Sequence, residues 1–378
     1  MIHSLYLKNF KCFEEQTIHL NNLTLLTGLN GMGKSSVIQS LLLLRQTHDQ
    51  GTLYSLNPNV ELGLFLNGDL VSIGTGQDLL YEEAEDELIE IKITSNNDSD
   101  HSPSVSQWTW AYKKDLDFLN IINPGVTVSA DFTRESLLQD TFQYLNAERL
   151  GPRISLKTSN YSVRTKKYLG IHGEHTLHYI SQFGSRPITI PELLNPSDNT
   201  NTLKAQIEVW MESISPGTKL SLQEHTDIDS VSLRYQFVKG RELTNEFRPT
   251  NVGFGISYVL PIVTAILSAS PDSLLLIENP EAHLHPKGQF EIGRLMSIAA
   301  NNGVQLIVET HSDHILNGIR VAAKTKDISH DKVSVHFFHK DLNHKHVIST
   351  PYLDEDGRFD EWPDNFFDEW DKSLDQLL

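Results

Sequence analysis

The chain is poor in the features that mark secreted and membrane proteins. Cys12 is the single cysteine among 378 residues, which excludes an internal disulfide and a cysteine-built zinc site. No apolar run approaches the roughly 20 residues that span a bilayer, and the N-terminus lacks the layout of a signal peptide. We therefore expect a cytoplasmic protein that does not enter the membrane.

Positive charge is also scarce. Lys and Arg number 31 against 49 Asp and Glu, which gives a formal net charge of -18. Because nucleic-acid affinity comes largely from cations that neutralise phosphates, this composition disfavours DNA as a partner unless a local basic patch exists. The acids are densest after Tyr81 and after Tyr352. Both stretches are typical of solvated faces, and the aromatic residues in the second also fit a docked C-terminal helix or a protein-binding surface.

Sustained heptad repeats are missing, which argues against long coiled-coil arms. Instead, residues 23–27 predict a buried strand followed by a glycine-rich turn and a helix. From residue 251 onward, apolar strands alternate with helices, a pattern typical of a parallel sheet covered on both faces. The sequence thus predicts an α/β fold with a mainly parallel core sheet, preceded by an N-terminal antiparallel β element.

The middle of the chain predicts a mixed α/β insertion. Residues 87–114 alternate with period two and indicate a β-hairpin, and residues 134–145 and 203–214 predict helices. We expect one head over residues 1–378. Its predicted parts are a nucleotide-binding lobe at 1–75 and 251–350, an inserted lobe at 76–250, and an acidic, aromatic tail at 351–378.

The glycine-rich turn predicts a phosphate site. Residues 28–35, GLNGMGKS, match G-x-x-x-x-G-K-[ST] at every fixed position, between a predicted strand and a predicted helix. Such a loop points amide N–H groups at phosphate oxygens, next to the positive end of the helix. We expect Lys34 to reach the β- and γ-phosphates and the Ser35 hydroxyl to bind Mg²⁺. The residues predicted to hold ATP in this loop are Asn30, Gly31, Gly33, Lys34, Ser35 and Ser36.

A second motif, LLLIENPEAHLHP, begins at Leu274. A phosphate-loop site needs an acid at the end of a neighbouring strand to hold Mg²⁺ through its water shell. The apolar run before Glu278 predicts that this carboxylate lies in the sheet core, where a nearby cation would compensate its burial. Glu278 is therefore a predicted metal ligand and catalytic residue.

The ordered motifs resemble those of ABC-type ATPase heads, in the branch that includes RecF, SMC and OLD-like proteins. They are GLNGMGKS, NVGFGISYVLPIV from Asn251, LLLIENPEAHLHP, and LIVETHSDHIL from Leu306. The first 40 or so residues are similar to RecF and SMC starts. The ending WPDNFFDEW resembles the tail of a bacterial family of AAA ATPases. The resemblance implies a P-loop NTPase fold, ATP and Mg²⁺ as cofactors, and a homodimer with ATP at its interface.

Further residue roles are implied by the same resemblance. His311 matches the switch histidine that contacts the γ-phosphate, and residues 283–285 fall where a loop crosses the dimer interface. Gln77 matches either the glutamine that joins Mg²⁺ to the second lobe or an ordinary loop glutamine. In such heads the signature motif serves the partner's ATP, and here its candidates are Gly253, Gly255 and Ser257.

The sequence departs from the family pattern at two positions. Asn279 stands directly after the Walker B acid, where the general-base glutamate is usual. An amide can orient a water but cannot accept its proton, so either Glu281 is the base or hydrolysis is slow. The usual Ser-Gly-Gly signature is also absent, although two glycines before a helix still offer bare amides to a γ-phosphate.

Two other groups of residues leave alternatives open. His172, His175 and His178 fit either a metal site or, more simply, a surface helix or loop. Arg149 and Arg153 fit contacts to phosphates or nucleic acid, or ordinary salt bridges.

These inferences predict a Mg²⁺-dependent ATPase that dimerises on ATP and regulates a separate effector in bacterial anti-phage defence, by analogy with the Septu ATPase. OLD nucleases carry a further catalytic domain, and the residues after His311 are too few to fold one. We therefore expect the effector, a suspected nuclease, to be another protein. The alternatives are a RecF-like DNA-binding repair ATPase and an ATP-sensing scaffold with negligible turnover.

Overall fold

A computed structural model describes residues 1–55, 57, 59–96, 103–127, 134–240, 242–342 and 344–377. The strands are β1 (Ile2–Phe10), β2 (Phe13–His19), β3 (Leu23–Gly28), β4 (Gly63–Phe65), β5 (Leu88–Asn96), β6 (Pro103–Ala111), β7 (Phe118–Thr127), β8 (Phe142–Leu145), β9 (Ser155–Lys157), β10 (Thr218–His225), β11 (Ser230–Lys239), β12 (Glu242–Leu243), β13 (Leu274–Glu278), β14 (Gln305–Glu309), β15 (Val333–Lys340) and β16 (His346–Ser349). The α-helices are α1 (Lys34–Asp49), α2 (Thr176–Phe183), α3 (Leu203–Ile214), α4 (Phe254–Ser268), α5 (Pro286–Asn301), α6 (Asp313–Lys324) and α7 (Glu369–Leu377).

The chain divides into two compact units. The first contains Met1–Asn21, Leu26–Gln139 and Ser334–Thr350, and the second contains Asn22–Leu25, Asp140–Val333 and Pro351–Leu378. Strand β3 therefore begins in the second unit and ends in the first. The lobes expected from the sequence stay a prediction.

An antiparallel sheet of six strands builds most of the first unit, in the order β2-β1-β5-β6-β7-β4. Its strands alternate buried and more exposed residues because one face covers a core, to which Trp108 and Trp110 contribute fully buried rings. Strands β5 and β6 form the predicted hairpin, with Leu88 opposite Ala111. Most of the turn expected between them, residues 97–102, lies outside the described residues. The predicted N-terminal antiparallel element is confirmed.

His336 on β15 is a buried, neutral histidine of the first unit. Its Nε2 donates to the carbonyl oxygen of His19 at 2.7 Å, so Nδ1 accepts from the Thr350 hydroxyl at 2.8 Å. Burial lowers the pKa of His336 below its ordinary value of 6.5. Acceptance at Nδ1 needs the neutral ring, because a second ring proton would remove the lone pair that accepts from Thr350, whereas Nε2 can donate to His19 in either state.

This histidine predicts acid lability. Below pH 6.5 the unfolded chain takes up a proton that the folded protein does not. The free energy of unfolding therefore decreases as the pH decreases, by up to about 1.4 kcal/mol per pH unit. We expect the stability gap between wild type and His336→Gln to be larger at pH 7.5 than at pH 5.5 in urea unfolding. A gap that is the same at both pH values would contradict this reading.

Parallel strands form the centre of the second unit. Strand β13 pairs in parallel with β14 on one side and with β8 on the other. Its residues Leu274 to Ile277 are all buried, in contrast to the alternation of the antiparallel sheet, because helices cover a parallel sheet on both faces. The predicted alternation of helices and strands after residue 251 is confirmed.

The helix predicted at residues 134–145 is wrong. The chain instead makes a short 3-10 turn, Ser136–Leu138, and then the strand β8. All four residues of β8 are buried, and each pairs with a residue of β13. The leucines and glutamines of this stretch favour a helix locally, but pairing with β13 outweighs that preference.

Helices α5 and α6 pack against each other through two glycines. A Cβ on Gly293 would lie 2.4 Å from the carbonyl oxygen of Ile315, and a Cβ on Gly318 would lie 2.3 Å from that of Phe290. Either methyl group would meet backbone atoms, which cannot rotate away. The two helices therefore touch backbone to backbone at this point.

The histidine-rich stretch leads into helix α2: His172 and His175 precede the helix and are half-buried, whereas His178 on the helix is not at the surface as expected. The His178 side chain is buried, and its Nδ1 accepts from the amide of Ser159 at 3.1 Å. Burial lowers the pKa of His178, which fits a neutral ring inside the second unit.

The part of the acidic C-terminal tail that precedes helix α7 packs against helix α6. Arg320 of α6 lies over the rings of Phe359 and Trp362, and Phe366 is fully buried. Trp370 on α7 is 72% exposed. Across the described ranges, no helix has the length and apolar character needed to cross a membrane.

Candidate functional site

The loop after β3 has the backbone of a phosphate loop. Gly28, Gly31 and Gly33 have φ values of 126°, 74° and 105°, in the region that favours glycine. A Cβ on Gly28 would lie 2.1 Å from the carbonyl oxygen of Phe338, and one on Gly33 would lie 2.7 Å from Cys12 Sγ. Among the described residues, no atom lies within 4 Å of the position that a Cβ on Gly31 would take. Gly28 and Gly33 therefore allow close packing of their neighbours, whereas Gly31 is needed only for the left-handed backbone of the turn.

Lys34 places a cation inside this loop. It is the first residue of α1 and is 3% exposed, and its Nζ donates to the carbonyl oxygens of Gly28 at 2.9 Å and Leu29 at 2.8 Å. No acidic residue lies in the first turn of α1, so the positive end of the helix is not neutralised there. Loop curvature, helix end and ammonium together favour an anion at this position.

The remaining loop residues differ in exposure. Asn30, Gly31 and Ser35 are exposed residues, and the assignment of the Ser35 hydroxyl as a metal ligand stays a prediction. Ser36 is buried, and its Oγ lies 3.9 Å from Cys12 Sγ. Gln77 is exposed in the one-turn 3-10 helix Gly76–Asp78, and its backbone N–H donates to the carbonyl oxygen of Lys114. Its assignment as a metal ligand stays a prediction.

Glu278 is the last residue of β13 in the second unit. Its Oε1 accepts from the Tyr144 hydroxyl at 3.0 Å, and its Oε2 accepts from the amide of Ala147 at 3.1 Å. Burial raises the pKa of Glu278, and burial beside this carboxylate also raises the pKa of Tyr144. Two neutral donors thus orient the carboxylate, and each oxygen keeps a further lone pair.

The turn after Glu278 carries Asn279, at the usual position of the general base, and Glu281, the candidate for that base. Asn279 has a left-handed φ of 44°, and its backbone N–H donates to the carbonyl oxygen of Glu309. Glu281 Oε2 accepts from the Thr310 hydroxyl at 2.8 Å, and its Oε1 accepts from the amide of His311 at 2.7 Å. Glu281 therefore fixes the backbone of the exposed His311 at the end of β14. The catalytic roles of these residues stay predictions.

The predicted signature residues lie at the start of α4. Gly253 is the N-cap residue, is exposed, and has open space at its Cβ position. Gly255 packs on the turn after β13, since a Cβ there would lie 2.3 Å from the carbonyl oxygen of His283. Ser257 Oγ lies 3.3 Å from the Tyr235 hydroxyl. Gly253 is thus accessible to a ligand, whereas Ser257 contacts Tyr235 inside the second unit.

Arg149 has a different role from those considered in the sequence. Its side chain is 4% exposed and donates to four backbone carbonyls, whereas a phosphate contact or a salt bridge had been expected. The acceptors are Glu278 O at 2.6 Å, Asn279 O at 2.7 Å, Asn146 O at 2.8 Å and Tyr258 O at 3.2 Å. Burial lowers the pKa of Arg149 to about 10. Arg153 is exposed, and its predicted role stays open.

Two protein families match the chain. A family described as "AAA domain, putative AbiEii toxin, Type IV TA system" matches residues 23–317, which is more than half of the sequence. A family described as "Protein of unknown function (DUF3696)" matches residues 328–377. No curated protein matches the chain.

Solved SMC heads are similar in fold. The SmcHead bound to the C-winged helix domain of ScpA is 15% identical with a TM-score of 0.54, over 94% of this chain and 98% of that chain. The Smc head domain with an extended coiled coil, bound to the C-terminal domain of ScpA and derived from Pyrococcus furiosus, is 13% identical with a TM-score of 0.51, over 100% of this chain and 99% of that chain.

These similarities confirm the predicted fold class. No described helix of this chain is longer than 16 residues, which agrees with a head without long coiled-coil arms. The chain belongs to the AAA-domain family that matches residues 23–317, and it is an ATP-binding ATPase with an ABC-type, SMC-like head.

Proposed function

We propose that this protein is a Mg²⁺-dependent ATPase that dimerises on ATP and controls a separate effector protein. The observation that carries the proposal is the buried Lys34 ammonium inside a glycine loop at the start of α1. Backbone amides, a helix end and a cation in one loop bind a polyphosphate.

Mg²⁺ prefers oxygen ligands and keeps several waters, and each of the proposed ligands carries an oxygen of that kind. Ser35, an exposed residue, carries the hydroxyl that matches the Mg²⁺ ligand of the phosphate-loop pattern. Glu278 offers a carboxylate whose pKa is raised by burial, and a cation bound through its water shell would favour the charged form. When bound, Mg²⁺ neutralises charge that develops on the phosphates during phosphoryl transfer. Gln77 is a further candidate ligand.

Turnover is proposed to be slow. Asn279 cannot accept a proton, and the candidate base Glu281 lies two residues beyond the usual position, with its carboxylate hydrogen-bonded to Thr310 and His311. A slow ATPase keeps its ATP-bound state for a long time, which suits a sensor or timer better than a motor. The scaffold with negligible turnover is the extreme form of this proposal.

Dimerisation is proposed to bring the signature segment of one protomer to the ATP of its partner. The supporting features are the open N-cap glycine Gly253 and the exposed side chains of Phe254 and Leu29, which are 46% and 57% exposed. The SMC heads of similar fold were solved with parts of ScpA bound. By analogy, we propose a separate protein as the partner of this head, with a nuclease in anti-phage defence as the candidate.

Light scattering after size exclusion tests the dimer. We expect Glu278→Gln to elute as a dimer with ATP and Mg²⁺ and as a monomer with neither, because slowed turnover preserves the ATP-bound form. Lys34→Ala is expected to stay monomeric in both conditions. A mass that does not change with ATP in any variant would contradict ATP-dependent dimerisation.

The RecF-like alternative is tested with duplex DNA. We expect only weak binding at 150 mM salt, because the net charge of -18 repels phosphates. Tight binding with a steep salt dependence would favour the DNA-binding ATPase instead.

A further inference from the structure

The buried arginine Arg149 connects three segments of the second unit. One segment is its own loop, through the carbonyl oxygen of Asn146. The second is the turn after β13, through the carbonyls of Glu278 and Asn279. The third is helix α4, through the carbonyl oxygen of Tyr258, one turn into the helix. One side chain thus joins the candidate signature helix to the turn that carries the candidate metal-binding acid.

Contacts around Arg149 strengthen the same connection. Its guanidinium lies over the Tyr258 ring, with 5.1 Å between Cζ and the centroid. The Tyr258 ring is 4.9 Å from the His283 ring, and Phe254 is 4.6 Å from His283. Gly255 also packs on the His283 backbone. The start of α4 and the turn over residues 279–283 therefore form one packed group, with Arg149 hydrogen-bonded to both parts.

We propose that Arg149 is a positioning residue that holds the Glu278 turn and the signature helix α4 in a fixed relation. The inference rests on the proposed function, in which α4 serves the partner's ATP and Glu278 serves the ATP of its own protomer. Arg149 then couples the two ATP sites of a dimer, because a shift of α4 at one site moves the Glu278 turn at the other.

The chemistry of the side chain explains why an arginine is needed. A guanidinium presents five N–H donors in a rigid plane, and four carbonyls from three segments use that plane here. A lysine has three donors on one nitrogen and cannot reach acceptors spread along a fork. Arg149→Lys therefore keeps the charge and removes the link.

The test compares ATP affinity with turnover. In Arg149→Lys we expect kcat for phosphate release to fall about 10- to 100-fold, the range for losing a residue that orients a catalytic ligand. The Kd of a fluorescent ATP analogue is expected to stay within about twofold, because the phosphate loop lies outside the group that Arg149 holds. The Hill coefficient for ATP is expected to fall toward 1, since coupling between the sites is lost.

Arg45→Lys is the matched control. Arg45 is also buried, at 7% exposure, and donates to the carbonyls of Leu137 and Gln139 in the first unit. We expect its kcat per folded molecule and its Hill coefficient to equal those of wild type. Amide hydrogen exchange supplies a readout without turnover. In Arg149→Lys, residues 254–258 and 279–283 should both exchange faster, and in Arg45→Lys neither should.

Each contrary outcome is distinct. A kcat of Arg149→Lys within twofold of wild type together with an unchanged Hill coefficient would overturn the inference while leaving the ATPase intact. A kcat that falls only in proportion to the folded fraction, measured by circular dichroism, would reduce Arg149 to a structural residue. A wild type without turnover or ATP-dependent dimerisation would contradict the proposed function, and the inference with it.

Discussion

Gly28→Ala is expected to destabilise the first unit by about 3–5 kcal/mol, the range of severe core substitutions. The added Cβ would lie 2.1 Å from the carbonyl oxygen and 2.9 Å from the amide nitrogen of Phe338. Both are backbone atoms on β15, so the contact cannot be relieved by a change of rotamer. The φ of 126° adds strain, since this conformation is rare for alanine. Urea unfolding without nucleotide measures the loss.

Gly31→Ala separates the clash from the strain. Gly31 also has a positive φ, at 74°, but in the part of the chain that the structure describes no atom lies within 4 Å of its Cβ position. We expect a cost of about 1–2 kcal/mol from the left-handed backbone alone. Equal losses in the two variants would show that the contact with Phe338 does not limit the loop.

Glu278→Gln is expected to lower turnover by a factor on the order of 10² or more while ATP still binds. The amide has nearly the shape of the carboxylate, and its oxygen can accept from Tyr144 or Ala147, so the strand end should keep its fold. It removes the negative charge proposed to hold the Mg²⁺ water shell. Phosphate release and binding of a fluorescent ATP analogue, measured side by side, test both halves of the expectation.

The same assay distinguishes the two readings of Glu281. If Glu281 is the general base, Glu281→Gln should fall to the level of Lys34→Ala. If it only fixes the His311 backbone, the amide still accepts from one of its two donors, and we expect a loss of about tenfold. Wild type indistinguishable from Lys34→Ala would show a scaffold without turnover.

Much of the fold was predictable because its signals are local. The phosphate loop is a contiguous pattern, and the glycines at 28, 31 and 33 occupy left-handed positions in the structure. The run before Glu278 is apolar at every position because β13 is buried on both faces. After residue 251, where strands and helices alternate, the pattern of apolar residues and the lengths of the segments are enough to predict the elements.

Other features depend on contacts between segments far apart in sequence. Strand β8 was expected to be helical, since the sequence does not show that residues 142–145 pair with β13. The role of Arg149 depends on carbonyls more than 100 residues away, and no local pattern marks such acceptors. The burial of His178 could not be predicted for a similar reason. Its ring accepts from the amide of Ser159, which lies in a separate loop.

The glycine contact between α5 and α6 limits how these two helices of the second unit can move. Helix α6 follows His311, and helix α5 follows the turn that carries Glu281. Because Gly293 and Gly318 leave no side chains between the backbones, neither helix can slide or tilt without pushing the other. A displacement at His311 would therefore move both helices together, up to their far ends.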